Sequence, residues 1–234
     1  MKILCVIPAR GGSKRITRKN IRTFIDRPII SYSISTAILS GIFDRVMVST
    51  EDKEIADVAR RYGATIPFMR SPETADDFTG IAEVLIETIH RLNEMGENYN
   101  IVCCILPTSP LLDSDRILNS VRILESENST DAVLSVAQYD SPIQRALKKN
   151  SDGTIDMLWP ENRLIRSQDL EPRFFDAGQY YTLRTEVLLN SRSVFPPNTK
   201  PDVLDNRMVQ DIDNLDDWEL AELKYKLLKH GSRS

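Results

Sequence analysis

Lys2-Ile3-Leu4-Cys5-Val6-Ile7-Pro8, running into Ala9-Arg10-Gly11-Gly12-Ser13-Lys14-Arg15, decides how this 234-residue chain folds. The first seven residues form a short, continuous apolar run rich in Ile and Val, which reads as a strand buried on both faces. Such a strand needs helices above and below it. Helices are expected over 28–40, with Pro28 in the first turn and Gly41 past the end, over 52–62 before Gly63, and over 79–95 before Gly96. Further strands are expected at 44–50, 100–107 and 131–137, and a helix at 113–126 capped by Asp113 or Ser114. This alternation predicts a three-layer, doubly wound α/β fold around a mostly parallel sheet with right-handed crossovers. Ligands in such folds bind beyond the carboxyl ends of the strands, which points to the loops starting at residues 8, 50 and 107.

Helical periodicity is lost between about 138 and 182, where short β-like pieces such as Thr154–Leu158 and Gln179–Leu183 flank the turn Ser151-Asp152-Gly153. This stretch reads as a β-rich flap inserted into one domain spanning 1–234. The core then resumes with a helix near 184–191, a short strand at Met208–Ile212 and a final helix over 215–229. Trp218, Ala221, Tyr225 and Leu228 share one face of that helix.

Apolar residues make up 41% and charged residues 27%, a globular balance, and the net charge of −4 gives the whole chain no attraction for nucleic acid or acidic membranes. Cys5, Cys103 and Cys104 lie in strand-like runs and read as buried hydrophobes, not as a disulfide framework or zinc site. His90 and His230 read as solvated helix residues. With a strand expected within two residues of Met1, no signal peptide is expected, and no apolar stretch approaches the ~18 residues of a membrane span, so a cytoplasmic location is expected.

Chemistry concentrates in two places. Arg10, Lys14, Arg15, Arg18, Lys19 and Arg22 fall within thirteen positions that hold no acid. Paired glycines let a backbone approach a ligand and permit positive φ, and successive amides in such a turn form an anion nest to which Lys and Arg add charge. Neither GxxxxGK(S/T) nor GxGxxG is present, so the loop is neither a Walker P-loop nor a dinucleotide fingerprint. Near the other end lies Val209-Gln210-Asp211-Ile212-Asp213-Asn214. On a strand, Asp211 and Asp213 would share a face while Ile212 enters the core. Two hard carboxylates suit Mg²⁺ or Mn²⁺. Taken alone, the pattern fits capping of the last helix by Asp213 or Asn214 better; alongside a triphosphate loop it favours a metal.

The stretch IPARGGSKRITRKN (7–20) resembles the signature of the acylneuraminate cytidylyltransferases, the CMP-sugar-acid synthetases, and the resemblance extends over nearly the whole chain. It implies a Rossmann-like nucleotidyltransferase fold. It also implies that Arg10, Lys14, Lys19 and Asn20 surround the triphosphate and ribose of CTP, with Ala9, Gly11, Gly12 and Ser13 as the loop beside them. Asp211 and Asp213 match a family Asp-x-Asp that holds Mg²⁺. Arg70 aligns with an arginine near the nucleotide, and Asp76, Asp77 and Thr79 fall in the segment contacting the base. Pro107, Thr108 and Ser109 belong to a PTSPL turn near the sugar. Leu106 stands where sialic-acid-activating members carry Gln. SPIQRAL (141–147) and RSQDLEPRFFDAGQYY (166–181) are similar to the branch that activates pseudaminic acid. They imply that Arg166 meets the sugar carboxylate, with Gln168, Asp176 and Tyr180 on the sugar side. Phe174 and Phe175 fit either packing or a dimer seam.

The function implied is transfer of CMP from CTP to the C2 hydroxyl of a nonulosonic acid, with Arg10, Lys14 and Asp211 carrying the chemistry. Synthetases for sialic acid and ketodeoxyoctonate are the enzymatic alternatives. A nucleotide-binding regulator without turnover is the alternative of another class. The flap has little core of its own, so a homodimer is expected in which each flap helps close the partner's sugar site.

Overall fold

The computed structural model describes residues 1–76 and 78–231. Asp77 lies outside the described residues, as does the side chain of His230. β1 (Ile3–Pro8) leads through a basic loop, with a 3-10 turn at Lys19–Ile21, into a small antiparallel ribbon of β2 (Thr23–Phe24) and β3 (Arg27–Pro28). α1 (Ile30–Ser40), β4 (Arg45–Ser49), α2 (Lys53–Arg61), α3 (Ile81–Glu94), β5 (Ile101–Ile105), α4 (Ser114–Ser126) and β6 (Ala132–Gln138) follow. Pro28 thus precedes α1 and pairs with Thr23 in the ribbon. A short hairpin of β7 (Leu147–Lys149) and β8 (Ile155–Met157) comes next. The chain ends with β9 (Phe174–Arg184), α5 (Thr185–Ser191), β10 (Thr199–Leu204) and α6 (Leu215–Gly231). Helix limits obey local chemistry. Asp52 caps α2 by accepting from the amides of Glu54 and Ile55, Asp113 caps α4, and Gly41 at φ 66° closes α1.

The six-stranded sheet runs β10-β6-β9-β5-β1-β4. β1 is parallel to β4 and β5, and β10 is parallel to β6, while β9 runs antiparallel between β5 and β6. Two strand expectations are corrected. Gln179–Leu183 is not a flap piece but the buried heart of β9. Met208–Ile212 is not a strand; the edge strand is Thr199–Leu204, where Pro201 is tolerated because an edge needs fewer ladder donors.

Side-chain alternation on β1 splits the core into two layers. Cys5 and Ile7 pack with Val48, Cys103 and Ile105 beneath α1, α2 and α4. Leu4 and Val6 pack with Met47, Val102, Cys104 and Tyr181 against α3 and α5. All three cysteines are free and buried, and burial pushes the Cys103 thiol up to about 12. His90 is exposed. A satellite core decides the geometry of the site. Ile16 from the basic loop, Phe24, Ile29 and Tyr32 pack with Ile212, Trp218 and Ala221 from the C-terminal segment. The Phe24 ring meets those of Tyr32, Trp218 and Tyr225 edge-on at 5.4, 5.6 and 5.8 Å. This cluster carries residues some 200 positions apart to one edge of the sheet.

Candidate active site

β1 sends its crossover to β4 on one side and has β5 on the other, so a crevice opens at the carboxyl ends of β1 and β5. It forms a cleft of about 330 Å³. Its walls come from four segments: Arg10, Ser13, Lys14, Arg15, Lys19 and Asn20; Arg70, Thr74, Asp76 and Thr79; Leu106, Pro107 and Thr108; and Asp211 with Asp213. The basic loop and the paired aspartates therefore share one cavity.

Internal bonds hold the loop in shape. Buried Asn20 donates its side-chain amide to Arg10 O at 2.9 Å. Arg18, in the left-handed region at φ 54°, turns away from the cleft and forks onto Asp52 at 2.5 and 3.1 Å while also pairing with Glu54. That arginine lowers the Asp52 carboxyl to about 2, with help from the backbone amides that Asp52 caps. The Gly11 amide donates to Glu51 Oε1 at 2.6 Å. Neither Gly11 nor Gly12 adopts positive φ, so conformational freedom is not their role. A Cβ on Gly11 would stand 2.5 Å from Asp52 Oδ2, whereas one on Gly12 would meet nothing within 4 Å. Glu51 was not singled out in the sequence; its signal is a carboxylate two residues beyond β4, in the loop at that strand's carboxyl end.

The C-terminal side has no ladder of its own, and its backbone groups go to side chains. Lys19 Nζ donates to Ile212 O at 2.7 Å, and Arg15 pairs with Asp213 at 2.6 Å. Asn214 and Asp217 settle the capping alternative. Asn214 Oδ1 accepts from the Asp217 amide at 3.0 Å, and Asp217 Oδ2 accepts from the amides of Asn214 and Asp213 at 3.0 and 2.9 Å. Asp211 and Asp213 are thus not used as caps, and both residues line the cleft.

A family model described as Cytidylyltransferase matches residues 4–200. The chain belongs to the cytidylyltransferase family. A pseudaminic acid cytidylyltransferase of Campylobacter jejuni is 40% identical over 227 residues, 97% of each chain. A CMP-N,N'-diacetyllegionaminic acid synthase of Legionella pneumophila is 33% identical over 232 residues, 95% of each chain. Among solved structures, CMP:2-keto-3-deoxy-manno-octonic acid synthetase complexed with CTP aligns at a TM-score of 0.70. The alignment covers 98% of this chain and 100% of that one at 15% identity, a likeness of fold. This cytidylyltransferase is a nucleotidyltransferase enzyme, which sets aside the reading as a regulator without turnover.

The electrostatics of the cytidylyltransferase cleft suit a polyphosphate with a cation. Asp211 is exposed as a residue, yet the atoms packed around its carboxyl and the charge of Asp213 push its pKa up, against the pull of Lys19. Burial pushes the Lys19 ammonium down despite both aspartates. A carboxylate pair under mutual repulsion is what a divalent cation relieves. Among the described residues no cluster of three or more ligating side chains exists. A pair of carboxylates is a donor set that a divalent cation such as Mg²⁺ can use when substrate phosphates and water complete its shell.

Other anticipated residues are distributed unevenly. Arg70 is buried at the cleft floor, donating to Ser49 Oγ at 3.1 Å and Ser49 O at 2.5 Å. Asp76 accepts from the Phe78 and Thr79 amides and from the Thr79 hydroxyl, which orders that wall. Ala9 is buried, with its amide on Ser49 O. Ser109 is buried behind the lining, its hydroxyl on Gln179 O at 3.4 Å. Tyr180 does not line the cleft: it is fully buried and donates to Asp202 at 2.5 Å. Asp176 accepts from the Tyr181 hydroxyl at 2.8 Å outside the lining. Arg166 and Gln168 lie in the exposed flap, where Arg166 pairs with Asp169 at 2.7 Å.

Proposed function

We propose that this cytidylyltransferase transfers CMP from CTP to the anomeric C2 hydroxyl of pseudaminic acid and releases pyrophosphate. The observation that carries the reaction is the convergence of Arg10, Lys14 and Lys19 with Asp211 and Asp213 on one cleft. The sugar assignment is supported by 40% identity to a pseudaminic acid cytidylyltransferase along 97% of the chain. It is supported also by apolar Leu106 in the cleft lining, at the position where the resemblance implies Gln in sialic-acid-activating members.

The C2 hydroxyl oxygen attacks the α-phosphorus in line and its proton passes to solvent, while the bond from the α-phosphorus to the oxygen bridging to the β-phosphorus breaks and pyrophosphate leaves with that electron pair. Arg10 and Lys14 neutralise the charge growing on the leaving pyrophosphate, and Lys19 and Asn20 hold the nucleotide and the loop together. Asp211 and Asp213 would hold Mg²⁺, which when bound withdraws charge from phosphate oxygens and acidifies a coordinated hydroxyl. Among the described residues lining the cleft there is no histidine, and Asp76, the carboxylate apart from the pair, is engaged by the Phe78 and Thr79 amides and the Thr79 hydroxyl.

Pyrophosphate release with CTP and a panel of pseudaminic, legionaminic, sialic and ketodeoxyoctonic acids tests the reading, with pseudaminic acid giving the highest kcat/KM. Lys14→Ala should lower kcat/KM by roughly a hundredfold, the worth of one charged transition-state donor. Near-normal turnover would remove Lys14 from the mechanism.

The flap between β6 and β9 exposes Leu147, Ile155, Leu158, Trp159 and Leu164 around its hairpin, more apolar surface than a lone insert can cover. A second copy of the chain covers it in this proposal, so that Arg166 and Gln168 serve the sugar site of the other copy. A monomer in sedimentation at micromolar concentration refutes that arrangement. No helix among the described residues is long and apolar enough to cross a membrane, and the reading places the enzyme in the cytoplasm, with its CTP.

A further inference from the structure

Asp211 and Asp213 belong to no strand, so side chains must set where they stand. Lys19 Nζ holds Ile212 O from the cleft side. On the opposite side, Lys224 rises from α6 and donates from Nζ to Val209 O at 2.6 Å and to Asn206 O at 3.1 Å. Gln179, from the middle of β9, donates its amide to Met208 O at 2.5 Å. Carbonyls on both flanks of Asp211 are therefore each tied to an ammonium, one from the basic loop near the start of the chain and one from α6. Val209 and Ile212 complete the mounting by burying their side chains in two separate apolar clusters.

Lys224 lines a second cavity of about 420 Å³ behind the paired aspartates. Asp140, Asp211, Asp213 and Asp217 share that wall, and Lys224 is the one cation among its described lining residues. It does not line the nucleotide cleft, so it acts on that cleft only through the loop. Asp211 and Asp213 form the partition between the two cavities. Two like charges on an unladdered loop can relieve their repulsion by splaying apart, unless the carbonyls behind them are pinned.

We infer that Lys224 is a positioning residue for Asp211 and Asp213: its ammonium fixes the back of their loop so that both carboxylates face one cation in the nucleotide cleft. The assignment rests on the proposed cytidylyl transfer.

Lys224→Met keeps the aliphatic stem and removes the donors, whereas Lys224→Arg keeps charge and donors. In Lys224→Met, the half-saturating Mg²⁺ for CTP turnover rises about tenfold, the scale of one hydrogen bond from a charged group. The KM for the sugar acid stays within twofold. With neither nucleotide nor Mg²⁺ present, amide hydrogen exchange across residues 205–214 becomes at least tenfold faster, while exchange in β1 and β5 is unchanged. Lys224→Arg restores both readouts. Wild-type exchange at 205–214, or a wild-type Mg²⁺ requirement, in Lys224→Met overturns the inference. So does a loss of turnover that arises wholly from KM for the sugar acid. If the Met variant does not fold, Lys224→Gln is judged by the same two readouts. Absence of CTP turnover in the wild-type chain with every sugar acid would count against cytidylyl transfer, while the exchange measurement would still decide the role of Lys224 in the loop.

Discussion

Gly11 and Gly12 sit side by side but answer to different masters, and one methyl on each separates them. A Cβ on Gly11 lies 2.5 Å from Asp52 Oδ2, 3.1 Å from its Cβ and 3.2 Å from its Cγ. Asp52 cannot simply swing aside, because it caps α2 through two amides and receives both guanidinium contacts of Arg18. Gly11→Ala must therefore move the loop or break that pair, an overpacking penalty of about 1–3 kcal/mol. For a chain of this size that lowers Tm by roughly 2–4 °C per kcal/mol, so a fall of several degrees is expected. Any movement of the loop also draws the Gly11 amide off Glu51, and KM for CTP rises. Gly12→Ala meets nothing within 4 Å and needs no positive φ, so its Tm stays at the wild-type value. If a phosphate approaches the backbone there, KM for CTP nevertheless rises about tenfold or more. Calorimetric melting of the free proteins and initial rates of pyrophosphate release give both numbers. A Gly11→Ala protein with wild-type Tm refutes the steric reasoning. A Gly12→Ala protein with wild-type KM refutes close approach of the triphosphate at that residue.

Asp211→Asn should abolish turnover yet raise Tm when no divalent cation is present. The raised carboxyl pKa means that its ionisation opposes folding, a loss of stability that grows as pH rises through the folded value. A lower Tm at pH 7.5 would contradict this. Arg18→Met should cost about 1–2 kcal/mol near neutral pH. The fall of Asp52 from 3.8 to about 2 sets a ceiling of roughly 2.4 kcal/mol, reduced for partial exposure and for the share owed to capping amides. The gap between wild type and variant is full above about pH 4 and closes as pH falls through 2; a gap independent of acid would exclude the ion pair as its source. Tyr180→Phe strips a buried carboxylate of one donor and should cost about 1–3 kcal/mol in chemical denaturation while KM for the sugar acid holds. A raised KM with unchanged stability would return Tyr180 to the sugar site.

The parts of the fold legible in the sequence are those whose environment repeats along the chain. β1 could be read because Leu4 and Val6 face one apolar layer and Cys5 and Ile7 the other, which leaves no polar position in the run. α2 could be read because Asp52, Gly63 and its apolar spacing agree. β9 could be recognised as a strand, but not assigned to the central sheet, since a run buried on both faces looks the same whichever neighbours it pairs with. β10 was hidden because Thr-Lys-Pro-Asp is poor strand material, admissible only on an edge. Met208–Ile212 was expected as a strand that would put Asp211 and Asp213 on one face, but its buried residues, Val209 and Ile212, fall three apart and not two. Its carbonyls are claimed by Lys19, Gln179 and Lys224. No local signal announces partners that far apart.

That same irregularity explains how the site can work. A laddered strand would fix Asp211 and Asp213 on one pleat, with every backbone group committed to a neighbour. Here the loop is suspended from the basic segment on one side and α6 on the other, and Ile212 joins both through the Phe24 and Trp218 cluster. Arg15 on Asp213 is a surface pair in which both side chains keep much of their exposure, 68% and 40%, so it is weak and readily exchanged for a cation and a phosphate. Lys19 is the opposite case: half-buried, depressed in pKa and fixed on a carbonyl, it stays in place whatever binds. One cation of the loop is thus free to follow the nucleotide while another keeps the two ends of the chain in register. Lys19→Met should consequently lose CTP affinity and also loosen amide exchange at 211–214, whereas Arg15→Met should change affinity alone. Equal exchange behaviour in the two variants would mean that Lys19 is only one more surface charge.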